Sequence, residues 1–154
     1  MRYLLIMGSL LACGGGYDPG AFATSTIFGG RRFPGTRLQH GCLDIALRAR
    51  ANLHDPALDV SFGNRCVEAR WIDLSKLEIR GVFPGGESRT LSLFDPRGEI
   101  GPALLGGRAA AKERIEIVGG LGATQLCISV EDVIEIDQAG PRQETCIDVE
   151  ALQS

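Results

Sequence analysis

Apolar residues recur at every second position along much of residues 43–130, and this alternation constrains the fold more than any other feature. Leu43, Ile45 and Leu47 alternate with Asp44, Ala46 and Arg48, and Leu58, Val60 and Phe62 alternate with Asp59, Ser61 and Gly63. The same period returns in Leu77, Ile79 and Phe83, in Leu91 and Leu93, in Ile115 and Ile117, and in Leu126, Ile128 and Val130. A period of two sends one side of an extended chain into a core and the other into water, so each stretch reads as a half-buried strand. Gly-, Pro- and Asn-rich turns separate them: NLHDP before Ala57, PGGES from Pro84 and GGLGA from Gly119. Trp71 in ARWIDL falls on a further strand, and one short helix is expected over residues 108–113 in GGRAAAKER. Seven or so short strands predict an all-β domain over residues 42–154, an antiparallel immunoglobulin-like β-sandwich.

The N-terminus follows a different logic. MRYLLIMGSLLAC carries one charge, Arg2, then a nearly unbroken apolar run over residues 3–12. A bilayer needs about 20 apolar residues, so the run is too short to span one. A positive start, a short apolar segment and a small residue are the parts of a secretory signal. Gly14, Gly15 and Gly16 would continue a buried strand or helix poorly. Leu10-Leu11-Ala12-Cys13 resembles the lipobox of bacterial lipoproteins, with Leu11 bulkier than the usual Ala or Ser. That resemblance implies cleavage after Ala12, a diacylglyceryl thioether on Cys13 and an acylated new N-terminus. Residues 1–12 are then the signal, and residues 13–41 are the lipidated Cys13 and a Gly-rich tether. One acyl chain holds a protein to a membrane only marginally, at about 0.8 kcal/mol per CH₂, whereas two or three hold it durably. Gly14, in place of the Asp that retains many lipoproteins in the inner membrane, favours the outer membrane. The expected location is the cell envelope, with the lipid on Cys13 as the membrane contact.

An anchor at Cys13 makes the cysteine count even. Of five cysteines, Cys42, Cys66, Cys127 and Cys146 remain, and outside the cytosol an even set reads as two disulfides. Pairing Cys42 with Cys66 and Cys127 with Cys146 keeps each bridge within one supersecondary unit, and closing each loop contributes about 3 kcal/mol in the chain-entropy model. No C-x-x-C is present, and the two histidines, His40 and His54, lie in the tether and in a turn. Neither a metal site nor a cofactor is expected.

Charge and motifs narrow the function classes. The chain holds 16 Lys and Arg against 19 Asp and Glu. The tether carries Arg31, Arg32 and Arg37 against Asp18, so the acidic excess belongs to the domain, which argues against nucleic acid. Four aromatics, Tyr17, Phe22, Phe28 and Phe33, lie in the tether although a spacer has no use for them, and ATSTIF from Ala23 has strand composition. Part of the tether is therefore expected to dock as an edge strand. GGLGAT sits between two strands rather than before a helix, so it reads as a hairpin turn and not as a phosphate loop. Glu131, Asp132, Glu135 and Asp137 read as a solvated strand face, and no G-x-S-x-G or H-E-x-x-H occurs. Asn64 shares parity with Phe62 and is expected to point inward and satisfy backbone at a strand end. FDPRGEI is a charged turn, with Asp95, Arg97 and Glu99 as the best candidate contact loop.

GCLDIAL, FGNRC, DPRGEI and CISV, in that order, resemble a group of uncharacterised bacterial lipoproteins, a resemblance that implies no activity. The strand ending in Phe62-Gly63-Asn64 is also similar to small immunoglobulin-like envelope domains and, more distantly, to a bacterial intracellular proteinase-inhibitor domain. The leading expectation is a non-enzymatic module that binds an envelope protein or supports assembly, with no catalytic residues. The alternatives are a proteinase inhibitor and an envelope hydrolase working through scattered carboxylates.

Overall fold

The structure, a computed structural model, describes Tyr17, residues 33–134 and residues 144–151. Cys13, the lipobox and ATSTIF lie outside the described residues, as do Glu135 and Asp137.

Every alternating stretch is a strand. In chain order the strands are β1 (Thr36–His40), β2 (Leu43–Arg50), β3 (Ala57–Asn64), β4 (Arg70–Asp73), β5 (Glu78–Val82), β6 (Ser88–Leu93), β7 (Pro102–Leu105), β8 (Ala110–Val118), β9 (Gln125–Ser129) and β10 (Glu144–Glu150). Their assembly differs from the expected immunoglobulin-like sandwich. Seven strands follow one another in a closed ring, β2-β10-β9-β5-β6-β8-β3 and back to β2. The ring is mixed rather than antiparallel, because β10 runs parallel to β2 through Val149↔Ala49 and Glu150↔Arg50. The alternation is the same for a sandwich and a barrel, since both bury one face of each strand. Closure is decided by which strands meet at the edges, and a closed ring removes the exposed edges that a sandwich keeps.

The inward faces fill the barrel. Ile45, Leu47, Leu58, Val60, Ile117 and Leu126 are fully buried, each contributing about 1.5–3 kcal/mol by leaving water. Outside the ring, β4 and β7 form a separate two-stranded sheet with Trp71 opposite Leu104. The expected helix at residues 108–113 is absent. Arg108 takes a left-handed turn with φ of 58°, and Ala110 and Ala111 enter β8 opposite Gly63 and Phe62. A full ladder to β3 outweighs the helix propensity of three consecutive alanines. The acidic stretch departs from a strand too, since Glu131–Val133 is a 3-10 turn.

Both disulfides join the pairs that sequence separation favours, Cys42 to Cys66 and Cys127 to Cys146. Cys42 precedes β2 and Cys66 follows β3, so neither has to match the apolar stripe of its strand. Cys127 and Cys146 face each other directly across β9 and β10. They alternate with the buried Leu126, Ile128 and Ile147, which puts the bridge on the outer face.

Part of the segment assigned to the tether belongs to the folded body. β1 pairs with β2 from Thr36↔Leu47 to His40↔Leu43. Tyr17 and Phe33 pack with Ala46 in a second apolar cluster outside the barrel.

Candidate functional site

The loop between β6 and β7, residues 94–101, is built from the DPRG turn and roofs a cavity. The Phe94 amide donates to the Glu116 carbonyl at 2.8 Å and fixes where the loop leaves β6. The Asp95 carboxylate accepts from the Glu99 amide at 2.8 Å and from the Ile100 amide at 3.1 Å. Gly98 supplies the left-handed conformation, φ 66°, that lets the chain turn back toward Asp95. The side chain of Asp95 is therefore spent on holding the loop. Arg97 and Glu99 project from the tip, 3.7 Å apart and both more than two-thirds exposed.

Beneath the loop lies a cavity of about 520 Å³, with Phe62, Ile72, Leu74 and Ile115 among its lining residues. Phe94 and Leu104 also line it and remain 51% and 57% exposed. Trp71, opposite Leu104 on β4, is 49% exposed. Large apolar side chains left in water beside an apolar cavity, with charged groups around them, have the layout of a contact surface. Arg114 stands at another part of the lining. Its Nε donates to Asp59 at 2.7 Å, and this carboxylate holds the guanidinium above its ordinary pKa.

A larger groove, about 930 Å³, runs over the outer faces of β2, β3 and β8. Five of its charged groups are committed to one another: Asp59 pairs with both Arg50 and Arg114, and Arg48 pairs with Glu150. A ligand there would have to replace those pairs, so the smaller apolar cavity is the better candidate site.

Other groups have structural work. Asn64 is fully buried; its amide donates to the carbonyls of Glu68, Leu105 and Gly106, and its carbonyl oxygen accepts from the Cys66 amide. It thus ties three segments together at the end of β3, the role read from its parity. Cys127, Glu144 and Cys146 present ligand atoms within 4.8 Å of one another. The two sulfurs are bonded to each other, which leaves no thiolate to hold a metal. His40 is half-buried at the end of β1, and His54 is exposed in the turn before β3.

Asp95, Arg97 and Glu99 do fall together on the loop expected to make contacts. The sequence carries no signal that marks Phe94, Trp71 and Leu104 as contact residues, since an isolated large apolar residue in a β-rich chain reads as core. Compared with protein-family models, curated proteins and solved structures, the chain shows no significant match.

Proposed function

We propose that this chain is a lipid-anchored protein of the cell envelope whose barrel seats an apolar side chain of an envelope protein partner. The seat is the cavity under residues 94–101, and no reaction is catalysed there. The observation that carries the reading is the exposure of Phe94 and Leu104 at an apolar cavity, with Arg97 and Glu99 on the rim. An apolar centre ringed by polar groups is how protein interfaces concentrate their binding energy. Asp95, the carboxylate of the loop, is engaged by two backbone amides, which favours a scaffold role over acid–base chemistry. The lipobox-like Leu10-Leu11-Ala12-Cys13 supports the anchor, and Gly14 supports the outer membrane over the inner. The two disulfides suit an oxidising compartment.

A photo-crosslinking residue in place of Phe94 in intact cells tests the proposal, with a second at the exposed Leu121 as control. The expected result is one adduct of defined mass at position 94, abolished by Leu104→Lys, and none at position 121. Equal labelling at both positions, or an adduct indifferent to Leu104→Lys, would overturn it. Stoichiometric inhibition of a protease by the purified protein would transfer the loop to the inhibitor class.

A further inference from the structure

The N-terminal segment is pinned to one end of the barrel. Tyr17 is 5% exposed. Its amide donates to the Arg108 carbonyl, and its hydroxyl donates to the Asp44 carboxylate at 2.6 Å. Its ring lies against Gly63 so closely that a Cβ there would collide with it. Phe33 meets the ring edge-on, with centroids 5.5 Å apart. Ala46 and Gly63, small and facing outward on β2 and β3, leave the room these two rings occupy. Tyr17 follows Cys13 by four residues, and four residues reach roughly 14 Å at full extension. A lipid on Cys13 therefore holds this end of the barrel near the bilayer.

The surface at that end suits the contact. Residues 65–69 and 106–109 meet there, with the Arg108 amide donating to the Cys66 carbonyl at 3.0 Å. They carry Arg65 and Arg108, with Arg70 at the adjoining start of β4, and Val67 is 79% exposed between them. Buried Asp44 is compensated by Arg65 at 3.1 Å, by Gln39 and by Tyr17. Glu68 pairs with Arg70 at 3.8 Å. Glu78, at the start of β5, and Glu131 and Asp132, which follow β9, lie across the ring from β2, β3 and β8 at the same end, so the basic surface is a sector and not a full rim. At the far end, Leu121 donates its amide to Asp55. The nine residues of β8 run about 27 Å along the tilted strand between the two ends.

We infer that the sector formed by Arg65, Val67, Arg70 and Arg108 rests on anionic lipid headgroups, with the Leu121 end directed away from the membrane. The inference rests on the lipid at Cys13 and adds an orientation to it. Exposed Arg108 is attracted to an anionic surface, Arg65 and Arg70 stand beside it paired with Asp44 and Glu68, and Val67 supplies an apolar contact.

The test uses the full-length acylated protein in vesicles of phosphatidylglycerol and phosphatidylethanolamine with brominated acyl chains. Trp71→Phe removes the single tryptophan, and Val67→Trp or Leu121→Trp then supplies one probe. The Val67→Trp probe should be quenched several-fold more than the Leu121→Trp probe. The gap should narrow in phosphatidylcholine vesicles or at about 1 M salt, where the Debye length falls to about 3 Å. Glu68→Trp, on the same exposed loop, serves if Val67→Trp fails to fold. Equal quenching at the two ends, or stronger quenching at position 121, overturns the orientation. The mass of the N-terminal peptide separates the two failures. Without a diacylglyceryl group on Cys13, the anchor and the orientation fall together; with it, equal quenching removes the orientation alone.

Discussion

The two edges of β2 are held in different ways. One edge pairs with β3 without interruption from Leu43↔Asn64 to Arg50↔Ala57. The other is shared: β1 takes Leu43 to Leu47, and β10 meets only Ala49 and Arg50. The β2–β3 ladder is antiparallel, joined by a short turn and backed by buried side chains along its length. The β2–β10 seam is parallel, joins strands distant in sequence, and closes the barrel through two register pairs. It is reinforced by the Arg48–Glu150 ion pair and by the Ala51 amide, which donates to the Glu150 carbonyl at 2.8 Å. Local alternation builds long ladders, whereas closure depends on a small contact with support from elsewhere. Here that support is the Cys127–Cys146 bridge, which fixes β10 to β9 and so carries it to the seam.

Experiments on the two edges should separate these roles. Leu58→Ala removes a fully buried side chain of the ladder and should cost about 2–5 kcal/mol, read as a lower denaturant midpoint with the m-value retained. Replacing both Cys127 and Cys146 by Ser should cost about 3 kcal/mol. Hydrogen exchange should then rise on β10 before it rises on β3; uniform acceleration would mean that the seam is no weaker than the ladder. Glu150→Gln, which weakens an exposed pair at the seam, should cost under about 1 kcal/mol and speed exchange chiefly at Ala51.

The smallest effect concerns acid. The Asp73 carboxylate accepts from the side chain and amide of Ser75 and faces Lys76, and these contacts lower its pKa below the ordinary 3.8. A carboxylate with a lowered folded pKa stabilises the fold fully above its unfolded value and loses that contribution as pH falls through the folded value. A wild-type chain should therefore lose slightly more stability than Asp73→Asn on acidification below about pH 4. Identical acid titrations of the two would remove the assignment. Arg48, Arg80 and Arg114 are raised from an already high value by hydrogen bonds to Glu150, Glu144 and Asp59, so they stay charged throughout this window.

The strands were legible because a period of two is a local property, visible wherever Leu, Ile or Val alternates with polar residues. The structure departs from the sequence pattern where a tertiary contact overrides local character. Residues 108–113 look helical until Gly63 and Phe62 are placed opposite Ala110 and Ala111. β1 lies within a stretch whose Gly and Pro content suggests a tether, yet two of the four aromatics there, Tyr17 and Phe33, pack on the barrel. The charged loop was legible from its turn chemistry, since Asp-Pro followed by Gly predicts a turn whatever surrounds it. The cavity under it was not, because its lining comes from β3, β4, β7 and β8 as well as from the loop itself.

By itself the sequence determined that the chain is mostly β, where its main turns fall, and that Asn64 points inward. These follow from side-chain alternation and from the conformational demands of Gly, Pro and Asn, which act over a few residues. Only the tertiary structure decided that seven strands close into a mixed barrel, that β10 meets β2 in parallel, and that Tyr17 seats on Gly63. Each of these joins residues far apart in sequence, and it depends on which edges and surfaces are left to cover once the local ladders have formed.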